Sequence, residues 1–206
     1  VGCLTPTKTK ELVNCIVSEL DIPVHVHCHN DFGMATANAL SALEAGAQCV
    51  DVTVNGLGER CGLPPLAEVT TALTELYKIN QNWNLGLLPE LSKLVVSFSK
   101  LELKTNRPIT GKNAFTHKAG LHVKAVVQEP KSYEAISPEI VNRKRHLVID
   151  KYTGKAALKN RLYEMGLTIS DQELKTILKE IKSQPEKVSW GDDDLTSLAQ
   201  SIQRNV

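Results

Sequence analysis

Histidines occupy every second position from 25 to 29 within the stretch Pro23–Ala37, PVHVHCHNDFGMATA. Alternate side chains of an extended strand share a face, so His25, His27 and His29 line up on one side, successive rings about 6–7 Å apart. A strand that ends in two imidazoles and then turns through Asn30-Asp31 can chelate a divalent cation with both rings, which makes His27 and His29 candidate metal ligands. A lone histidine in a strand is more often a satisfied buried side chain. The pattern H-x-H followed by N-D-x-G is what tips the balance toward a metal. Cys28 falls between the two rings and faces the other way, as a packing residue and not a third ligand.

The surrounding sequence alternates helical and extended patterns. Thr5-Pro6 is a helix opening, followed by Leu12, Cys15, Ile16 and Leu20 as an apolar stripe. After the histidine strand, Ala35, Ala39, Ala42 and Leu43 mark the inward face of a second helix closed by Gly46. Gln48–Val54 (QCVDVTV) reads as a short strand, and Asn55–Gly62 (NGLGERCG) as a glycine-rich turn. A third helix starts at Pro64-Pro65 and buries Leu66, Val69, Leu73 and Leu76; a fourth starts near Pro89 with Leu91, Val95 and Phe98. This tempo, with nearly continuous apolar strands, predicts parallel β/α units, with the histidines at the C-terminal end of their strand, where such folds keep their chemistry. Three or four units fit before residue 105, fewer than the roughly eight that a closed barrel needs. Either the sheet is open or the chain is part of something longer.

Composition shifts at Lys104–Lys112 (KTNRPITGK), a polar linker. Beyond it Asn113–Gln128 reads as a helix in its second part, and His146–Asp150 as a short strand. The remainder is helical: Ala157–Met165 closed by Gly166, a capping box at Ser170–Glu173 ahead of Leu174, Ile177, Leu178 and Ile181, and Asp192–Asp194 ahead of Leu195, Leu198, Ala199 and Ile202. The expected division is 1–104, 105–150 and 151–206.

With 24 basic and 23 acidic residues the net charge is +1, which gives nucleic acid or an anionic membrane no purchase. No window approaches the ~18 apolar residues of a membrane span, and no secretory signal pattern is seen at the start. Five scattered cysteines without C-x-x-C suit reduced thiols in a cytoplasmic enzyme.

NGLGERCG fails the P-loop and dinucleotide patterns, so a tight βα turn is the better reading, with Glu59-Arg60 as an ion pair holding it. In THKAGLH, His117 and His122 are five residues apart, a rotation of about 500° on a helix, and so would not share a ligand. Taken alone, neither His122 nor Tyr133 carries more than a minor case for catalysis.

Together these motifs resemble one family. HVHCHNDFGMATANAL followed by EAGAQCVDVTVNGLGER is similar to the signature of 2-isopropylmalate and homocitrate synthases, within the DRE-TIM metallolyases. FTHKAGLHVKA, PKSYE and YTGKAALKNRL resemble the homocitrate synthase branch. The isopropylmalate branch has an asparagine where Leu63 stands, which points the same way. The resemblance implies an α/β chain: the C-terminal part of a (β/α)₈ TIM barrel, strands six to eight, followed by small, mainly helical subdomains. It also implies metal-dependent condensation of acetyl-CoA with a 2-oxo acid, 2-oxoglutarate foremost, in lysine biosynthesis.

Carried onto this sequence, it makes His27 and His29 ligands of a divalent ion (Zn²⁺, Mn²⁺ or Mg²⁺). It places His25 deeper, Asn30 and Asp31 behind the rings as orienting groups, and His122 with Tyr133 as a proton-transfer pair. It further implies a homodimer with exchanged subdomains. The family's third metal ligand and a catalytic arginine lie on the first barrel strand, which has no counterpart here; a partner half-barrel or split subunit is the corresponding alternative. Other acceptors (2-oxoisovalerate, pyruvate, oxaloacetate) remain open. So does a metal-dependent hydrolase, for which Val50–Val54 offers only Asp51.

Overall fold

The computed structural model describes residues 1–79, 81–117 and 129–204. They form two compact units, one of residues 1–114 with 140–142, the other of residues 115–139 with 143–206. Among the described residues no helix is long and apolar enough to cross a membrane.

The first unit opens on α1 (Pro6–Glu19), with proline in its first turn and Thr5 Oγ1 accepting the Lys8 N–H at 3.3 Å. Then come β1 (His25–Val26), α2 (Ala35–Glu44), β2 (Cys49–Val50), α3 (Leu66–Glu75) and α4 (Leu88–Ser99). β1 and β2 are parallel, His25 opposite Cys49 and Val26 opposite Val50. The strands are shorter than the sequence pattern predicts, but the β/α alternation and parallel register are those expected. Ala35, Ala39 and Ala42 are fully buried, and such small side chains let α2 lie close on the strands. Val13 of α1 closes this core with Ala45 and Ala47, and Val17, Val24, Val26 and Val50 pack against it.

Three helical faces differ from expectation. In α1 the buried residues are Thr9 and Val13, while Leu12 and Leu20 are about half exposed and Cys15 is exposed. Two apolar stripes compete on this helix, and the one with smaller side chains faces α2. In α3, Val69 and Leu73 are buried as expected, together with Ala67, Thr70 and Thr71, while Leu66 is only partly buried and Leu76 lies outside. In α4 the inner face is Leu88 and Ser92, one turn apart, because Ser92 is tied to Asn55; that rotation turns Phe98 outward.

In the second unit β3 (Thr116–His117) pairs in parallel with β4 (His146–Leu147), and Ile149 bridges Trp190. α5 (Lys155–Glu164), α6 (Asp171–Ser183) and α7 (Asp192–Arg204) follow. The capping box forms as read: Glu173 N–H donates to Ser170 Oγ at 3.2 Å, and Ser170 N–H to Glu173 Oε2 at 2.6 Å. The core is Ile149, Leu158, Leu162, Leu174, Ile177, Ile181, Trp190, Leu195 and Ala199. Most of these sit at the helical spacing that the sequence displays; β3 is an element it did not. The helix expected toward Gln128 falls largely on 118–128, outside the described residues.

Candidate metal centre

The β1–β2 ladder sets the site. Asp51 N–H donates to Val26 O at 3.0 Å, continuing the parallel register and bringing Asp51 beside His27. Side chains alternate along this stretch: Cys28 is buried with Ala35 and Ala39, whereas His25 and His27 lie on the opposite, half-exposed face. Burial pushes the Cys28 thiol pKa up, keeping it protonated and inert.

One carboxylate serves two of the three rings. Asp51 Oδ1 lies 2.8 Å from His25 Nε2, and Asp51 Oδ2 lies 2.6 Å from His27 Nδ1. The His27 hydrogen bond is the main cause that holds the Asp51 carboxyl below its usual range; the His25 bond adds to it, against the opposing effect of desolvation. The His27 and His29 rings stand edge to face, centroids 5.0 Å apart at 67°. His29 Nδ1 is buried and has no hydrogen-bond partner. Two imidazoles sharing one divalent ion, each nitrogen about 2.1 Å from the metal, keep their centroids roughly 5 Å apart, a spacing that this pair has and that an edge-to-face ring contact has too. Among the described residues no group of three or more His, Cys, Asp or Glu is placed to hold a metal ion.

The turn after the rings is braced from two sides. Asn30 Oδ1 accepts the Ala35 N–H at 3.0 Å, and Asn30 N–H donates to Gly62 O at 3.0 Å. Asp31 receives the guanidinium fork of Arg60 at 2.7 and 3.1 Å and the Gly2 N–H at 3.1 Å; the Arg60 bond is foremost in holding the Asp31 carboxyl far below the usual range. Neither Asn30 nor Asp31 bonds a histidine ring. They hold the turn, as expected, and the carboxylate that meets the rings is that of Asp51. The expected Glu59–Arg60 pair forms, at 3.9 Å and with Glu59 almost fully solvated, but the stronger partner is Asp31, which matches the fork with both oxygens.

NGLGERCG is the tight turn expected. Gly56 N–H donates to Thr53 O at 3.2 Å, Gly62 N–H to Glu59 O at 2.9 Å, and the following Leu63 N–H closes the turn onto Gly56 O at 3.3 Å. Gly62 has φ +84°, and a Cβ there would come within 1.9 Å of Gly56 O.

In the second unit Tyr133 is about half exposed, beside a buried ion-pair cluster. Glu134, 5% exposed, accepts two Arg145 bonds, from Nε and Nη2, at 2.6 Å, and lies 3.2 Å from His117 Nε2. Arg145 is foremost in lowering the Glu134 pKa. His117 is thereby accounted for structurally. His122 lies outside the described residues. Sequence reasoning weighed Asp51 only as a hydrolase ligand and quoted Glu134 only within PKSYE, and so missed their places beside His25 and His27 and beside Arg145. The signal for Asp51 was its parity in QCVDVTV, matched to His25 and His27 once the strands pair in parallel; Glu134 carried no local signal.

Residues 1–95 match the HMGL-like family, and residues 109–189 match the homocitrate synthase post-HMGL domain-like family. The homocitrate synthase of Sulfurisphaera tokodaii is 44% identical over 212 residues, covering 100% of this chain and 45% of the relative. The probable 2-isopropylmalate synthase of Methanopyrus kandleri is 43% identical over 187 residues, 91% of this chain and 38% of the relative. The chain thus spans about half, or less, of the length of the curated relatives it matches. Among solved structures, an HMG-CoA lyase from Acenitobacter baumannii in complex with coenzyme A and 3-methylmalate aligns at TM-score 0.44 and 25% identity, over 50% of this chain and 36% of that one.

Proposed function

The chain belongs to the HMGL-like family, whose fold is α/β, and from that premise we propose that it carries the cation-binding part of an acyltransferase condensing acetyl-CoA with a 2-oxo acid, 2-oxoglutarate foremost. The observation behind this reading is the edge-to-face pair of His27 and His29, 5.0 Å between centroids, with Asp51 behind one ring and a buried, unsatisfied nitrogen on the other.

In this reading His27 and His29 hold a divalent ion, Zn²⁺, Mn²⁺ or Mg²⁺. When bound there, the ion supplies Lewis acidity to the carboxylate and keto oxygens of the 2-oxo acid. The chain's own work is to present the two rings on a turn that cannot sag, because Asn30 and Asp31 fasten it to Gly62 and Arg60. Cys28, on the opposite face, fills the core and stays out of the reaction. Tyr133 and His122 form the proton-transfer pair: the phenol Oη and an imidazole nitrogen exchange a proton with the acetyl-CoA methyl group and its product. The third ligand and the arginine come from a partner half-barrel, and a homodimer with exchanged subdomains carries His122 and Tyr133 into the neighbouring barrel.

The Methanopyrus relative favours a second reading, the same condensation with 2-oxoisovalerate to give 2-isopropylmalate. Both are tested by thiol release from acetyl-CoA in the full protein with added Mn²⁺ or Zn²⁺, screened across 2-oxo acids. The first reading predicts the greatest release with 2-oxoglutarate. Preference for 2-oxoisovalerate selects the second, and no release with any 2-oxo acid rejects both.

A further inference from the structure

Asp51 accepts from both His25 and His27, and the sheet places its backbone beside His27 through the bond to Val26 O, within reach of both rings. A carboxylate can only accept, so each ring nitrogen facing it must carry the proton. For His27 that nitrogen is Nδ1, so in the neutral ring Nε2, on the far side from Asp51, is the unprotonated atom. His25 is held the other way round, by its Nε2, which spends on Asp51 the nitrogen that a ligand in line with His27 would need.

We propose that Asp51 is the positioning residue of the histidine pair: it fixes His27 in the Nδ1–H tautomer with Nε2 turned out for a divalent cation, and withdraws His25 from that role. This rests on the reading of His27 and His29 as ligands and adds what selects two of the three aligned rings. Outer carboxylates of this kind raise ligand basicity, and their loss weakens metal affinity about 10–100-fold.

Asp51→Asn is the discriminating change, because an amide can accept from one ring but must donate to the other, reversing that ring's tautomer. In the metal-free full chain at pH 8, long-range ¹H–¹⁵N correlation is expected to show His27 as Nδ1–H and His25 as Nε2–H. Asp51→Asn is expected to disturb that pattern and to weaken Mn²⁺ binding, followed by the electron paramagnetic resonance of the free ion, about 10–100-fold. Mn²⁺ is the probe because the exposed thiols of Cys3, Cys15, Cys49 and Cys61 hold it poorly.

An Nε2–H His27 in the wild-type chain overturns the proposal, and this spectrum decides even if the variant does not fold. Unchanged Mn²⁺ affinity in a folded Asp51→Asn overturns it as well. Loss of the His27 Nδ1 proton when metal is added would mean that the His27–Asp51 bond does not persist in the loaded site, again refuting it. If His27→Ala binds Mn²⁺ like the wild type, it is the ligand assignment itself that falls, whatever the tautomers show.

Discussion

Adding one methyl group at Gly62 should destabilise the first unit far more than adding the same group at Gly33, although both glycines have left-handed φ, +84° and +74°. At Gly33 nothing lies within 4 Å of the added Cβ, so the cost is the left-handed backbone alone. That is roughly 1–2 kcal/mol, offset by about 0.4–1 kcal/mol from the stiffer unfolded chain. At Gly62 the Cβ would meet Gly56 O at 1.9 Å and Gly56 C at 3.1 Å, both backbone, so no side chain can swing aside. The backbone must part, which adds an overpacking cost of about 1–3 kcal/mol and endangers the bond from Leu63 N–H to Gly56 O, worth about 1 kcal/mol.

The two variants should therefore differ by about 3 kcal/mol, or roughly 1–2 M in urea midpoint for a slope near 2 kcal/mol/M. Urea denaturation by circular dichroism measures this. Amide exchange over residues 27–33 adds a second readout, because the Asn30 N–H that bonds Gly62 O should lose protection in Gly62→Ala only. Equal destabilisation by the two variants would refute the claim that backbone-on-backbone contact braces the histidine turn.

Two further changes probe the second unit. Glu134 has its pKa depressed in the fold, so its ion pair contributes stability that is present above the unfolded carboxylate value near 4.5 and is lost as pH falls through the folded one. Thermal melts from pH 7 to pH 3 should show that loss in the wild type; Glu134→Gln should flatten it and lower stability at pH 7 by about 3 kcal/mol, since Arg145 is left beside a neutral amide. Ser170→Ala should remove one half of the capping box and cost about 1 kcal/mol, read as a drop of a few degrees in Tm, with Ser170→Asp recovering most of it.

Helix openings, the capping box and the core of α5–α7 were legible because each is written within a few neighbouring residues: Thr5-Pro6, Ser170–Glu173, and Leu174 with Ile177 and Ile181. So was the pairing of His27 with His29, since the period of a strand is enough to place them together. The buried faces of α1 and α4 were not. Apolar residues lie on two sides of each, and which side turns inward is decided by partners elsewhere, α2 for Val13 and Asn55 for Ser92. The place of Asp51 behind the rings escaped for the same reason: a parallel register across 24 residues is set by the sheet, and only that register shows which carboxylate stands behind which ring. Glu59 was legible as a partner of Arg60 because it is adjacent in sequence, whereas the stronger partner Asp31, 29 residues away and offering both oxygens, was not.

Electron spin-echo modulation of Mn²⁺ added to the full protein addresses the ligand pair most directly, because it counts directly bound ¹⁴N. Two imidazole nitrogens are expected in the wild type and one in each of His27→Ala and His29→Ala, with His25→Ala unchanged. A spectrum without nitrogen coupling, or one that the His27 and His29 changes leave intact, would contradict the account.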